Sequence, residues 1–446
     1  MRDDRGCMNG PGGERHTTAL VPAGAADPVV AAPGAPDPAP PPPPPPATPV
    51  GALRAIAAEG GLERIRVVAW RDLDDPEAGG SELHAHHIAR LWASAGIGVE
   101  LRTSAVRGAP RVVERDGYRA VRRGGRYAVF ARTGLETVRT RARPGEGLVE
   151  IWNGMPFWSP VWWHGPRVVF LHHVHTEMWR MVLPRWMARM GEETERRVAP
   201  LLYRAARVIT LSESSRQEIV DLLGLHPDKV TVVPPGVDPR FSPGSAAMRS
   251  PGPLVVAVGR LVPVKRFDLL LGALARAKRA VPELRAVILG DGYQRQRLTA
   301  RCAELGATGW VSFTGRVTDG ELVDWYRRAW VVASASLREG WGMTLSEAGA
   351  CGTPAVASDI AGHRDAVVDG TSGLLANGEE AMAAALTRVL CDDALRARLA
   401  AGALLHASRF SWEAAARATL DALVEEACWE AGDQRYPLGL RPSLLP

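Results

Sequence analysis

Short apolar runs alternate with segments of helical periodicity along most of the chain. Most runs are followed by a glycine or by a residue that can cap a helix, which is typical of buried strands that lead into helices. The clearest predicted strands lie at 66–70, 99–103, 167–171, 207–211, 254–258, 285–289, 330–335 and 354–358. Because strands that alternate with helices form parallel sheets, the predicted fold class is α/β.

A loop rich in proline and glycine at 234–244 divides this pattern in two. We therefore predict two Rossmann-like domains, 61–245 and 246–410, that face each other across a cleft. A last helix at 411–430 begins at a good capping residue and is expected to cross back to the first domain. Ligands of such folds bind at the carboxyl ends of the strands, so the cleft is the expected site.

The two ends of the chain lack this pattern. Residues 1–60 contain seven consecutive prolines, at 40–46, among Ala, Gly and Asp. Such a segment cannot bury enough apolar surface to offset the entropy of ordering it. We predict a disordered Pro/Ala-rich tail at 1–60, which is either passive or a docking arm for a partner, and a second tail at 431–446.

The positive charge is concentrated in the first folded half. Residues 61–245 carry 27 basic and 21 acidic side chains, whereas residues 246–446 carry 23 and 22. The densest part, 102–143, holds 12 arginines against three acidic residues. This excess either attracts an anionic acceptor or a lipid surface, or forms a solvated arginine face. No nucleic-acid partner is predicted.

Five scattered cysteines without a CxxC pair favour a reducing compartment rather than a disulfide framework. No signal peptide is evident, and a tryptophan-rich stretch at 147–166 comes nearest to an apolar span. Aromatic side chains stack on sugars or lie at lipid interfaces, although burial is the default for most of them. The expected location is cytoplasmic, or peripheral at the inner face of the membrane.

The strongest candidate for chemistry is the sequence EGWGMTLSE at 339–347, between a predicted strand and a predicted helix. Its glycines let the backbone approach a ligand closely. Four backbone amides would face a phosphate at the start of the helix: those of Gly342, Met343, Thr344 and Leu345. Glu347 would accept hydrogen bonds from ribose hydroxyls or simply complement the helix dipole, while Glu339 would lie nearer a sugar.

A second loop, GRLVPVKRFD at 259–268, also joins a strand to a helix, and Asp268 is a candidate cap. Arg260 and Lys265 lie close enough in sequence to meet one diphosphate. Lys265 is informative because the chain has three lysines against 51 arginines. Two cations beside a departing nucleoside diphosphate would lower the barrier to sugar transfer. The alternative is an ordinary charged surface loop.

These two motifs resemble those of the retaining glycosyltransferases of family four, which have the GT-B fold. The resemblance covers about residues 65–428 and is most specific in the second half. Glu339 and Glu347 match the pair of glutamates that the family carries eight residues apart. Residues 234–238 match the family's interdomain segment, with Pro235 in place of the usual Asn. Further matches are the glycine loop at Gly79 and Gly80, the turn at 289–292, and the turn at 313–316 with Arg316 near the nucleobase.

The resemblance implies that the second domain holds a nucleotide-sugar and the first holds the acceptor. It also implies that configuration is retained and that the donor phosphate helps to deprotonate the acceptor. His172, directly after the strand at 167–171, matches a histidine that lies near the transferred sugar. His172, His173 and His175 together invite a zinc site as the alternative, but no fourth ligand is evident. Asp72 and Asp74 are interpreted as a solvated acidic loop rather than a metal site.

The sequence therefore predicts a metal-independent retaining hexosyltransferase without a cofactor, whose co-substrate is a GDP- or UDP-linked sugar. The acceptor would be a glycan, glycolipid or small molecule, and either anionic or lipid-linked. A catalytically silent nucleotide-sugar-binding protein is one alternative. Another is a different enzyme of this fold, such as a nucleotide-sugar epimerase. A dehydrogenase is disfavoured because no GxGxxG follows the first strand.

Overall fold

The computed structural model describes residues 48–140, 142–176 and 178–432. The proline run and residues 433–446 of the second predicted tail lie outside the described residues, as do the remaining residues before position 48. The described chain contains two parallel α/β sheets, and we refer to the parts that hold them as the first half and the second half.

The first half is built on eight strands in the order β3-β4-β2-β1-β5-β6-β7-β8. All neighbouring pairs are parallel except β3 and β4, which form an antiparallel edge. The strands are β1 Arg64–Val68, β2 Gly98–Thr103, β3 Val112–Arg115, β4 Tyr118–Arg122, β5 Glu146–Trp152, β6 Arg167–Leu171, β7 Arg207–Thr210 and β8 Val230–Val232. The helices are α1 Pro49–Glu59, α2 Gly80–Ser94, α3 Ala128–Thr140, α4 Ser159–Trp162, α5 Met178–Val182, α6 Arg185–Glu193, α7 Ala199–Tyr203 and α8 Glu213–Leu223.

The second half has six parallel strands in the order β11-β10-β9-β12-β13-β14, which is the Rossmann order. The strands are β9 Leu254–Val258, β10 Arg285–Leu289, β11 Val311–Gly315, β12 Val331–Ser334, β13 Ala355–Ser358 and β14 Gly373–Ala376. The helices are α9 Phe267–Ala280, α10 Arg295–Glu304, α11 Asp319–Arg328, α12 Met343–Ala350, α13 His363–Ala366, α14 Gly378–Cys391, α15 Asp393–Ala407 and α16 Trp412–Glu430.

The strand order locates a ligand crevice in each half. The order of connection reverses between β1 and β5 in the first sheet and between β9 and β12 in the second. Ligands of open parallel sheets bind outside the carboxyl ends of the strands at such a switch point. The loops that follow β9 and β12 are the two candidate phosphate loops of the sequence, and the glycine loop follows β1.

Strands β3, β4, β5 and β14 were not predicted from the sequence. Strand β5 was hidden because it carries Glu146 and Glu150 at buried positions, which break the apolar run. Glu150 is fully buried and accepts hydrogen bonds from the Tyr203 hydroxyl at 2.7 Å and the Phe157 amide at 2.7 Å. Paired in this way, a carboxylate can occupy a sheet interior.

The predicted boundary of the first tail at residue 60 is wrong. Residues 49–59 form α1, which begins at Thr48, whose hydroxyl accepts a hydrogen bond from the Gly51 amide. The helix buries Leu53 and Ala57 in the core of the first half. It was missed because it directly follows the proline run and is short.

Helix α16 belongs to the core of the first half although it ends the described chain. Its buried residues Trp412, Ala416 and Leu420 pack in the same cluster as Leu53 of α1. The Trp92 indole of α2 also donates a hydrogen bond to the Ala416 carbonyl at 3.0 Å. The chain therefore crosses between the halves twice, at 234–244 and just before α16.

We predict that Leu53→Ala lowers the free energy of unfolding by about 2–5 kcal/mol, because it leaves a cavity between α1 and α16. The matched control is Leu405→Ala on the exposed face of α15, which should change it by less than about 0.5 kcal/mol. Chemical denaturation of the full chain measures both. Equal stability of the two variants would show that α1 contributes nothing to the fold.

Candidate active site

The loop after β9 brings two cations to the cleft. A tight turn at Pro263–Lys265 precedes α9, and Arg266 caps that helix with a backbone φ of 47°. Asp268 lies inside the first turn, so its predicted capping role is wrong. Arg260 donates a hydrogen bond to the Glu77 carbonyl of the first half at 2.8 Å, which holds its guanidinium at the boundary between the halves.

Lys265 forms an ion pair with Glu339 on the loop after β12. The Ser336 hydroxyl also donates to the Glu339 carboxylate at 2.7 Å. Burial raises the pKa of Glu339, but the charges of Lys265 and His363 and these hydrogen bonds outweigh it and hold the pKa below its ordinary value. The structure thus joins the two candidate loops through a carboxylate that stays ionised.

Helix α12 begins at Gly342, whose φ of 135° lies in the region that favours glycine. The amides of Gly342, Met343 and Thr344 make no hydrogen bond within the described residues, as expected at a free helix start. The Leu345 amide is different, because it donates to the Gly342 carbonyl at 2.9 Å. Three of the four predicted amides are therefore available to an anion, and Leu345 is not.

Glu347 is the fifth residue of α12 and lies just beyond the first turn, which holds no acidic residue, so its expected place in the first turn is wrong. Its side chain is partly buried. The Tyr326 hydroxyl of α11 donates a hydrogen bond to its carboxylate at 2.8 Å. Burial raises the pKa of Glu347 to about 7, more than that hydrogen bond lowers it. Sequence reasoning missed Tyr326, which has no local motif and is brought to Glu347 only by packing between the helices.

The glycine loop of the first half faces these elements directly. A Cβ added to Gly79 would lie 3.4 Å from the Arg260 side chain, and one added to Gly80 would lie 3.3 Å from the Met343 sulfur. The Glu82 carboxylate accepts a hydrogen bond from the Gly79 amide at 2.8 Å and fixes the loop. The three-residue spacing of Gly79 and Glu82 is that of a capping box, which can be recognised in the sequence. The loop therefore lies directly against the Arg260 side chain and against the Met343 side chain at the start of α12.

Arg316 does not lie free in the turn after β11. Its guanidinium donates a hydrogen bond to the Pro76 carbonyl, three residues before the glycine loop. Arg260 and Arg316 thus both reach backbone carbonyls of the same segment of the first half. The proposed contact of Arg316 with a nucleobase remains a prediction.

His172 lies at the carboxyl end of β6, against the acidic loop of the second half. A Cβ on Gly340 would be 2.4 Å from the His172 carbonyl oxygen, so a glycine is required there. The His172 ring is buried, with Nε2 3.3 Å from Nδ1 of His84 on α2. Burial lowers the pKa of His172 to about 4, so its imidazole is neutral near pH 7.

His173 and His175 stack on each other, with ring centroids 4.7 Å apart. Neither ring nitrogen of His173 has a hydrogen-bond partner, although both are buried. Burial, together with the charges of His172, Arg338, Lys265 and Arg260, lowers the pKa of His173 to about 3. These neutral rings therefore lie among cations.

The zinc alternative finds no support in the geometry. Within residues 48–140, 142–176 and 178–432, no group of three or more His, Cys, Asp or Glu side chains is arranged to hold a metal ion. His175 instead points its Nδ1 toward Glu195, 3.8 Å away, and Glu195 accepts the backbone amides of His175 and Thr176. Glu195 was missed because only a π-helical turn at Thr194–Val198 directs it inward.

The interpretation of Asp72 as a solvated residue is wrong. Asp72 is fully buried and forms ion pairs with Arg115 at 3.0 Å and Arg122 at 2.7 Å. Asp74, which is half exposed, joins the same two arginines. Part of the arginine-rich segment at 102–143 is therefore internal, because Arg122 itself is almost completely buried.

The tryptophan-rich region is also mostly internal, as the default predicts. Four of the six tryptophans between 152 and 186 are buried and Trp158 is half-buried, whereas Trp186 is 69% exposed. In the described residues, no helix is long and apolar enough to cross a membrane.

The fold and the cleft together define a GT-B glycosyltransferase framework: two Rossmann-like sheets, a glycine loop from the first, and an acidic loop with a free helix start from the second. Comparison with protein families agrees. The model of glycosyl transferases group 1 matches residues 242–405, and that of glycosyltransferase family 4 matches residues 78–241. The chain belongs to this family of glycosyltransferases.

Two of the most similar relatives are D-inositol 3-phosphate glycosyltransferases. That of Streptomyces bingchenggensis is 32% identical over 78% of this chain and 85% of its own length. That of Stackebrandtia nassauensis is 43% identical over 46% of this chain, and there the chain spans about half of the relative, 51%.

Solved structures share the fold at lower identity. Sucrose-phosphate synthase from Thermosynechococcus elongatus has a TM-score of 0.68 at 21% identity, covering 79% of this chain and 96% of that one. Anabaena HepE, in complex with UDP and glucose, has a TM-score of 0.63 at 19% identity, covering 82% of this chain and all of that one.

We predict that a nucleotide-sugar binds more tightly as the pH rises from about 6 to 8. The Glu347 pKa of about 7 means that the carboxylate, which would accept ribose hydroxyls, forms only over this range. Titration calorimetry of the donor nucleotide at several pH values measures the effect. Glu347→Gln cannot ionise and is the matched control for titration of the nucleotide itself. The same pH slope in both proteins would exclude Glu347 as the cause.

Proposed function

We propose that this protein transfers a hexose from a GDP- or UDP-linked sugar to a phosphorylated cyclitol, with retention of configuration and without a metal ion. The observation that supports this most is that Arg260 and Met343, at the start of α12, both lie against the glycine loop, while Lys265 pairs with Glu339 on the loop that leads into α12. A helix start and two cations suit a diphosphate.

The reaction breaks the bond between the sugar C1 and the diphosphate oxygen and forms one between C1 and an acceptor oxygen. The proton of the acceptor hydroxyl passes to the departing phosphate, so no enzymatic nucleophile is needed. Arg260, Lys265 and the free amides of α12 stabilise the negative charge on the leaving group. Glu339 and the neutral His172 lie beside the sugar, where the carboxylate stabilises positive charge that develops at C1.

The acceptor is proposed from the relatives together with the charge of the cleft. Both relatives described above act, by their names, on D-inositol 3-phosphate. The charges of Arg338, Lys265 and Arg260 all act on His173, whose ring nitrogens have no partner. Lys265 and Arg338 already pair with Glu339 and Glu218, whereas Arg260 is bonded to a backbone carbonyl. An anionic, hydroxyl-rich acceptor would supply a counter-charge to Arg260 and hydrogen-bond partners to His173. A cytoplasmic location stays a prediction of the sequence.

We expect D-inositol 3-phosphate to stimulate release of nucleoside diphosphate from UDP- or GDP-sugars, and unphosphorylated inositol to do so far less. A panel of donors that includes UDP-glucose and GDP-mannose is screened with each acceptor. EDTA should leave the rate unchanged, because cations of the protein replace a bound metal. Loss of activity in EDTA with recovery in Mn²⁺ or Mg²⁺ would contradict the metal-independent mechanism. Donor binding by thermal shift without any turnover would favour a silent binding protein.

We predict that Glu339→Gln lowers kcat roughly a hundredfold, about 3 kcal/mol, with a smaller effect on the donor KM. The carboxylate gains interaction only as positive charge develops, so its loss affects the transition state. The matched variant is Glu347→Gln, which should raise the donor KM more than it lowers kcat. Because Glu339 pairs with Lys265, the double variant with Lys265→Gln should not be additive. A near-normal kcat for Glu339→Gln would contradict its catalytic role.

A further inference from the structure

A continuous helical run crosses the surface of the first half from Arg185 to Tyr203. It consists of α6, the π-helical turn and α7, and the residues at both junctions keep helical backbone angles. Its inner face is buried through small residues such as Ala188 and Ala199, through Tyr203, and through Glu195. We call its outer face, within residues 185–205, the exposed helical face.

Large apolar side chains follow one another along the exposed helical face. Trp186 is 69% exposed, Leu201 is 67% exposed and Met190 is 54% exposed. Val198 and Leu202 are exposed beside them. Monomeric proteins rarely leave so many large apolar side chains together in water without a partner for them.

The charges between these apolar residues are almost all positive. Five arginines are exposed on this face: Arg185, Arg189, Arg196, Arg197 and Arg204. Glu193 is the one exposed acidic residue within 185–205, all of which the structure describes. Long arginine side chains can lay their stems along an apolar surface and keep their charge in water. Apolar residues framed by arginine are the pattern of a helix that lies in the headgroup layer of a membrane.

We propose that the exposed helical face docks on an anionic lipid surface. Anionic headgroups would neutralise the arginines while Trp186, Met190 and Leu201 enter the boundary with the acyl chains. A second copy of this chain fits less well. In a two-fold dimer this face would meet itself, and the same arginines would repel each other.

The Glu195 side chain connects the helical run to the loop that carries the cleft histidines. Glu195, on the inner side of the π-helical turn, accepts the amides of His175 at 2.9 Å and Thr176 at 3.2 Å, and the Trp179 indole at 3.0 Å. The loop that carries the cleft histidines is therefore anchored to the helical run that bears the exposed helical face. Docking would hold the acceptor side of the cleft at the lipid surface. The inference does not depend on which acceptor is used.

The test is co-sedimentation of the full chain with vesicles of phosphatidylglycerol and phosphatidylcholine, and with vesicles of phosphatidylcholine alone. We expect binding to the anionic vesicles only, weaker at high salt. Arg185→Gln with Arg189→Gln should weaken binding roughly 25-fold, about fivefold for each arginine. Trp186→Ser with Leu201→Ser should weaken it roughly tenfold or more. The controls are Arg279→Gln and Leu405→Ser, both exposed in the second half, which should bind as the unchanged protein does.

The two double variants replace four exposed side chains, so both should keep the fold. Their melting temperatures check this. Three results would overturn the proposal. One is no binding to either kind of vesicle. Another is binding that neither double variant weakens. The third is a dimer, seen by sedimentation velocity, that both double variants dissociate, since this would assign the face to a second copy of the chain.

Discussion

The position of the acidic loop depends on two glycines that lack room for any side chain. A Cβ on Gly340 would lie 2.4 Å from the His172 carbonyl oxygen of the first half. A Cβ on Gly362 would lie 2.5 Å from the Glu339 carbonyl oxygen, on the other side of the same loop. Glu339 is thus fixed between the end of β6 and the start of α13. A side chain at Gly340 or Gly362 would therefore displace the Glu339 carboxylate.

The same loop draws the two halves together by burial. Trp341, which is almost completely buried, packs with Leu211 of the first half and Ala366 of the second. Polar contacts continue this boundary, since the Asp365 carboxylate accepts the Glu213 amide at 3.0 Å and Arg338 pairs with Glu218 at 2.8 Å. The loop that carries Glu339 is therefore held by the surface that joins the halves.

The two chain crossings lie against each other at one side of the cleft. A Cβ on Gly236 would be 2.1 Å from the Trp412 amide nitrogen, and the Val237 amide donates to the Phe410 carbonyl at 3.2 Å. Because α16 is then buried in the first half, residues of both crossings are fixed to one another. Any change in the width of the cleft would pivot near this contact. The acidic loop also reaches it, because the Trp341 ring packs edge-on against the Phe410 ring, with centroids 4.9 Å apart.

The sequence predicted more of the second half than of the first, although β6 in the first half was also predicted with its observed bounds and β14 in the second half was not predicted. The strands at 254–258 and 285–289 were predicted with their observed bounds, because each is a buried apolar run that ends at a glycine. In the first half, buried charges such as Asp72 and Glu150 resemble surface residues in the sequence. Their partners lie on distant strands or helices, so only the folded chain reveals that these carboxylates are neutralised or hydrogen-bonded.

The ion pair between Lys265 and Glu339 explains how one site can serve two charges of opposite sign. Before transfer, the pair leaves the ammonium and the carboxylate compensated in a partly buried place. As the bond to the diphosphate breaks, negative charge grows on the leaving group and positive charge grows on the sugar. In the proposed mechanism, the Lys265 ammonium then interacts more strongly with the phosphate and the Glu339 carboxylate with C1, so both interactions would be strongest in the transition state. Because Lys265 and Glu339 neutralise each other before the reaction, they would favour charge separation in the transition state without the free-energy cost of an unpaired buried charge beforehand.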